Sequence, residues 1–249
     1  MQEVRLLAQS PVLPVTLEAA LGLIAARDAS APFAYAVSIN AQIMILASRP
    51  ETGLASAHAA AWLRLNDSMV LARLHRWILG DDVPVAAGSD ITRLLLERVI
   101  QPEDSITLIG GGAHILAALR ARFGLRHLVQ HEPPMGYITQ PQAREAAIRF
   151  AIEHPARFVF VATGAPRSEL LLAEIAARGN VCGTGLAVGS GLLFAADLTP
   201  RAPGWMQRWG LEWLHRTLTD PWRLGRRYAA DLGPLLRLSW RAWRHGGRG

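Results

Sequence analysis

A chain of 249 residues with 51% hydrophobic and 18% charged content carries enough apolar surface for a full core, which excludes a disordered polymer. Its net charge of +6 is built from arginine alone and is concentrated: residues 201–249 hold ten arginines against three acidic residues, whereas residues 1–200 hold 16 against 17. The single cysteine, Cys182, excludes an internal disulfide and a cysteine-based metal site, and fits a reducing, cytoplasmic compartment.

The opening MQEVRLLAQSPVLP has neither the basic end nor the long apolar stretch of a secretory leader, so an intracellular protein is expected. Thereafter short apolar or β-branched runs alternate with stretches of helical period. Strands are expected at 33–39, 63–66, 105–109, 126–130, 158–162 and 181–188, the last a buried run that includes Cys182. Helices are expected at 17–27, 41–47, 68–79, 91–99, 113–123, 142–154 and 168–178. The charge-free stretches 29–48 and 179–196 are interrupted by polar residues, proline or several glycines, so no membrane span is predicted. The alternation implies an α/β domain over residues 1–200, a doubly wound, mostly parallel, Rossmann-like sheet.

Strand signals stop at Thr199-Pro200-Arg201-Ala202-Pro203, and residues 201–249 read as a helical appendage. It contains six of the eight tryptophans: Trp205, Trp209, Trp213, Trp222, Trp240 and Trp243. The first three recur every four residues and would share one helical face, which either packs on the core or meets a partner. Indole prefers the headgroup zone of a bilayer and guanidinium pairs with phosphate, so a membrane surface suits this composition. Nucleic acid is ranked lower, because stacking aromatics usually lie on a sheet or in a groove. Exposed tryptophan would also favour self-association into a homo-oligomer.

Ligands of an open parallel sheet bind where its strands end at their carboxyl edges, and several residues with chemical content fall there. Asp67 follows the strand LRLN; it suits a general base in a cleft, and equally a helix N-cap. Ser38 and Asn40 close the first long strand, as hydroxyl- or nucleotide-binding groups or as caps. Gly110-Gly111-Gly112 opens a helix, where bare N–H groups and the helix dipole can hold a phosphate or simply allow a tight turn. Thr163-Gly164-Ala165-Pro166-Arg167-Ser168-Glu169 follows FVFVA, and Thr163, Gly164, Pro166, Arg167 and Glu169 are expected to contact the substrate; Gly164 permits close approach, Pro166 fixes the turn, Arg167 is placed to meet an anion, and Ser168 or Glu169 also suits a helix cap. Gly136 and Tyr137 follow another strand and would border the same pocket. No DxD triplet and no metal-ligand spacing occur, so no cofactor or metal is expected and arginines would neutralise a departing pyrophosphate.

The run RAPGWMQRWGLEWLHRTLTDPWRLGRRY, residues 201–228, resembles the C-terminal signature of the WecG/TagA/CpsF glycosyltransferase family. The resemblance extends to Ser38–Ala41, the aspartate after the second strand, the GSD at 88–90, the triple glycine, Gly136-Tyr137 and FVATGAPRSE. It implies an inverting, metal-independent transferase that uses a UDP-sugar donor and a polyprenyl-diphosphate-linked acceptor, in exopolysaccharide or cell-surface polysaccharide synthesis at the inner membrane face. By the same resemblance Asp67 is the catalytic aspartate, Ser38 and Asn40 match a strand-end threonine and asparagine, and the active-site arginines fall within Arg216, Arg223, Arg226 and Arg227. The chain departs from the family in Asp67-Ser68 for DG, in the arginine missing from VPVAA, and in Arg167 and Ser168 for lysine and glutamine. A nicotinamide-dependent oxidoreductase is disfavoured by the absent GxGxxG and by the lack of an acidic residue placed to read a ribose, and a non-enzymatic basic module leaves the strand-end loops unexplained.

Overall fold

The strand FVFVA, Phe158–Ala162 (β7), shows why the sheet forms: Phe158 and Phe160 are buried on one face, Val159 and Val161 on the other. A strand apolar on both sides needs a layer over each, which is the condition of a parallel sheet. The computed structural model describes residues 2–246, with only the backbone described at 207, 208, 216, 223, 245 and 246.

Six parallel strands lie in the order β4-β3-β8-β7-β5-β6: Leu63–Asn66 (β4), Ala34–Ile39 (β3), Thr184–Ala187 (β8), β7, Ser105–Gly110 (β5) and His127–His131 (β6). One face is covered by Leu17–Ala25 (α1), Gly88–Leu94 (α5), Ala113–Phe123 (α6) and Gly191–Ala195 (α9); the other by Pro141–Glu153 (α7) and Arg167–Arg178 (α8). A third cluster gathers a hairpin of Val4–Leu6 (β1) and Ser10–Val12 (β2), Ala41–Ala47 (α2), Leu54–Ala60 (α3) and Met69–Leu79 (α4). The C-terminal Arg226–Gly246 (α12) closes that cluster, with Leu238 and Ala242 buried in it.

The expected doubly wound α/β sheet is therefore present, and its large sheet is wholly parallel. Several local readings are corrected. The last strand covers only Thr184–Ala187; Cys182 lies before it, half-buried, and is bridged to Pro32 by its neighbours' antiparallel pairing. The helix expected at 91–99 begins at Gly88 and ends in a π turn, Leu95–Val99. Trp205, Trp209 and Trp213 do not share one helix: Gly204–Arg208 (α10) ends before Gly210, whose φ of 67° turns the chain into Glu212–Thr219 (α11). All three are exposed, at 53%, 65% and 41%. No helix among the described residues is long and apolar enough to cross a membrane.

The approach to β8 depends on one glycine. Gly183 has φ +93°, and a Cβ there would lie 2.0 Å from the Ala156 carbonyl oxygen, a backbone atom that cannot swing away. Gly183→Ala is expected to cost at least about 2 kcal/mol of stability in urea denaturation, whereas a loss below about 0.5 kcal/mol would show that this crossing is not tight.

Candidate active site

The carboxyl ends of β3 and β4 bring together one carboxylate and the groups that fix it. Ser68, not Asp67, caps α4, accepting the Leu71 N–H at 3.2 Å. Asp67 is thereby left to other partners: the Gly88 N–H donates to its Oδ1 at 2.8 Å, and the Asn40 amide nitrogen reaches Oδ2 at 3.4 Å. Asn40 is the cap of α2, its Oδ1 accepting the Ile43 N–H at 3.1 Å, and its amide nitrogen turns to Asp67 at the same time. The Asn66 side chain donates to the carbonyls of Val83 and Pro84, and the Ala86 N–H returns to the Asn66 carbonyl, pinning residues 83–88 beside β4. Gly88 must lack a side chain here, because a Cβ would stand 2.6 Å from Ser38 Oγ. Ser38, Gly88, Thr92, Ala187 and Val188 line a narrow cleft beneath this corner.

A tail arginine joins the same corner, and it is one the sequence did not single out. Arg201 donates to Asp90 Oδ1 at 2.5 Å and to Ser89 Oγ at 3.1 Å, and its guanidinium lies 5.9 Å from the Phe194 ring centre. Burial alone would lower its pKa; the Asp90 carboxylate, with Glu212 and Asp67 behind it, reverses this and holds the group above its ordinary value. Its buried Nε has no hydrogen-bond partner among the described residues. Of the arginines singled out in sequence, Arg226 is exposed, while Arg227 lies 4.8 Å over the Tyr228 ring and beside Asp231. The side chains of Arg216 and Arg223 lie outside the described residues.

At the far half of the edge, Gly110, Gly111 and Gly112 all have positive φ, 84°, 93° and 80°. Gln130 donates to the carbonyls of Gly110 and Gly112 at 2.9 and 3.1 Å, so the loop is held open rather than collapsed. The Gly112 N–H, however, already donates to Glu132 Oε2 at 2.7 Å. A phosphate brought to that N–H would meet this carboxylate about 4 Å away, a repulsion between ~1 and ~4 kcal/mol from bulk water to protein surface. The ~0.3–1 kcal/mol that a helix N-terminus offers an anion does not exceed it.

The 163–169 loop sits beside it, turning through a cis Ala165-Pro166 bond. The Tyr137 hydroxyl meets Thr163 Oγ1 at 3.0 Å and donates to the Arg167 carbonyl at 3.3 Å, and Thr163 in turn meets Ser168 Oγ at 3.2 Å. Gly136, with φ 75°, starts the turn that carries Tyr137. Arg167 reaches Met135 Sδ at 3.8 Å, and its buried Nε has no partner among the described residues. Pro166 holds the cap position of α8, and no side chain caps that helix. Glu169 is 97% buried, its Oε2 without a partner among the described residues; burial, opposed by its own backbone N–H, pushes the carboxyl up to about 7.

From β4 to β6 the edge thus presents Asp67 with Arg201, then Asn40, the 188–191 turn, Arg167, and finally Glu132. With parallel strands ~4.8 Å apart, the β4 and β5 ends are roughly 19 Å distant, room for an extended nucleotide sugar. Among the described residues no three His, Cys, Asp or Glu side chains are grouped as metal ligands. The family model described as the glycosyl transferase WecG/TagA/CpsF family matches residues 4–249.

Glu169 gives a pH test of this corner. Its folded pKa, about 7, lies above the usual 4.5, so burial favours the neutral form. That contribution is complete below pH 4.5 and is lost as pH rises towards 7, where the folded group ionises too. Glu169→Gln should therefore gain stability relative to wild type across that window, by about 3 kcal/mol at its top, measured by denaturation at each pH. A difference that does not vary with pH would mean that Glu169 is solvated.

Proposed function

The chain belongs to the WecG/TagA/CpsF family and is a glycosyltransferase, and from that premise we propose that it moves a sugar from UDP to a polyprenyl-diphosphate-linked acceptor in exopolysaccharide or cell-surface polysaccharide synthesis. The transfer inverts the anomeric centre in a single displacement. Asp67 takes the proton from the acceptor hydroxyl, that oxygen bonds to the anomeric carbon, and the bond to UDP breaks with its electron pair leaving on the phosphate. Guanidinium groups stabilise that charge in place of a divalent ion.

The observation that supports this reading most is the Asp67 carboxylate, fixed by the Gly88 N–H and the Asn40 amide at the sheet edge rather than spent on a helix cap. A general base needs that fixed geometry. Arg201 brings a cation to the same corner, and Arg167 supplies another midway along the edge. Arg216, Arg223, Arg226 and Arg227 are proposed to approach from the tail when the lipid-linked acceptor is engaged.

The acceptor's lipid places the reaction at the inner face of the cytoplasmic membrane. Trp222 is 83% exposed and Trp240 and Trp243 nearly 60%, next to Leu232 and Leu236 on α12. Indoles flanked by Arg237, Arg241 and Arg244 suit a docking surface for anionic lipid. Because Leu238 and Ala242 of the same helix belong to the buried core, deletion of residues 201–249 would also open that core, and point substitution is the cleaner test.

Asp67→Asn should lower turnover at least roughly a hundredfold in a folded protein, read as UDP release with lipid-linked acceptor; near-normal turnover would remove Asp67 from the chemistry. Trp240→Ser with Trp243→Ser should cut co-sedimentation with phosphatidylglycerol vesicles several-fold, and unchanged sedimentation would assign those indoles another partner.

A further inference from the structure

The last helix, α12, has three faces. At about 100° per residue, Leu232, Leu236, Trp240 and Trp243 fall within about 80° of arc, and all four are exposed. Leu235, Leu238 and Ala242 lie to one side of this stripe and pack into the cluster shared with α2, α4 and the hairpin. Arg226, Arg237, Arg241 and Arg244 lie to its other side and are exposed. The apolar stripe is thus separate from the face that anchors the helix, and is bordered by cations.

The exposed apolar surface continues onto the body. Helix α4 packs Leu74 and Ile78 into the same cluster as Leu238 and Ala242, yet its Trp77 is 83% exposed. Around α4, Trp77 falls between Leu74 and Arg73, and the Arg73 guanidinium donates to the Trp209 carbonyl at 2.7 Å. Trp77 therefore stands between the seam with α12 and the exposed Trp209 of the tail. No acidic residue occurs in 69–79, and the only one in 226–244, Asp231, lies beside Arg227 and Arg49. A second copy of the chain would bring arginine against arginine on this face, whereas an anionic lipid surface complements it.

Resting on the membrane reading above, we propose that α4 is itself part of the docking surface, with Trp77 in the headgroup zone of an anionic bilayer beside the α12 stripe. Indole suits that depth, having an apolar body and one polar N–H. The consequence falls on Asp67. Ser68 caps α4 and Trp77 lies nine residues further on, roughly 14 Å along one helix. The height of Asp67 above the lipid is then set by a rigid element of the α/β body, and the tail does not set it alone. An acceptor anchored in the bilayer meets the carboxylate at a fixed level.

Co-sedimentation of the full chain with phosphatidylglycerol and phosphatidylcholine vesicles tests this. Trp62→Ser is the control: Trp62 is 38% exposed at the amino end of β4, away from α4, with Arg27 4.8 Å over its ring. Trp77→Ser should bind phosphatidylglycerol at least about threefold more weakly than wild type, and Trp62→Ser should match wild type. Combined with Trp240→Ser and Trp243→Ser, the separate losses should multiply. Unchanged binding by Trp77→Ser, where wild type binds, would overturn the assignment and leave docking by the tail standing; so would an equal loss in Trp62→Ser. If Trp77→Ser instead abolishes self-association in sedimentation velocity without lipid and leaves vesicle binding intact, the face belongs to a second copy and the assignment fails. Wild type that binds neither lipid, or both equally, fails the membrane reading and this assignment with it.

Discussion

One backbone N–H organises the corner around Asp67. The bond from Gly88 to Asp67 Oδ1, 2.8 Å long, fixes the carboxylate and at the same time fixes where α5 starts. That start sets Ser89 and Asp90 in place to receive Arg201 from 111 residues along the chain. The contact is close because residue 88 has no side chain to strike Ser38. Strand end, helix start and tail are therefore held through a single glycine, and a change there would move all three together.

The body of the fold was legible because its strands are short and strongly apolar, with sharp ends. Phe158–Ala162 falls where the pattern put it, since burial on both faces leaves no polar position to blur its limits, and Leu63–Asn66 does so because its two leucines alternate and a polar pair, Asp67-Ser68, follows at once. The N-terminal hairpin was not legible: its strands are three residues each, one contains Pro11, and its turn places Leu7 and Ala8 at positive φ, which no local preference signals. The Trp205–Trp213 period misled for a related reason, because Gly210 breaks the helix that the spacing assumed. The helix Leu54–Ala60 is an alanine-rich segment without a clear apolar stripe.

At the site, position was easier to read than partnership. Ser38, Asn40, Asp67, the triple glycine and residues 163–169 all lie on the carboxyl edge because strand ends are visible in sequence. Which of Asp67 and Ser68 caps α4 depends on a backbone direction that neighbouring polar residues share equally. Arg201 and Glu132 gave weaker signals, since their partners, Asp90 and Gly112, are remote in sequence.

The pH dependence of kcat/KM for Arg201→Gln and Arg201→Lys, set against wild type, tests the central claim most directly: that Asp67 is the base and acts within the field of this guanidinium. The account predicts that the acid limb moves to higher pH when the positive charge is removed in Arg201→Gln and stays near wild type when lysine preserves it. An acid limb that does not move in Arg201→Gln, with only the overall rate reduced, would contradict it and leave Arg201 as a structural tie between tail and sheet.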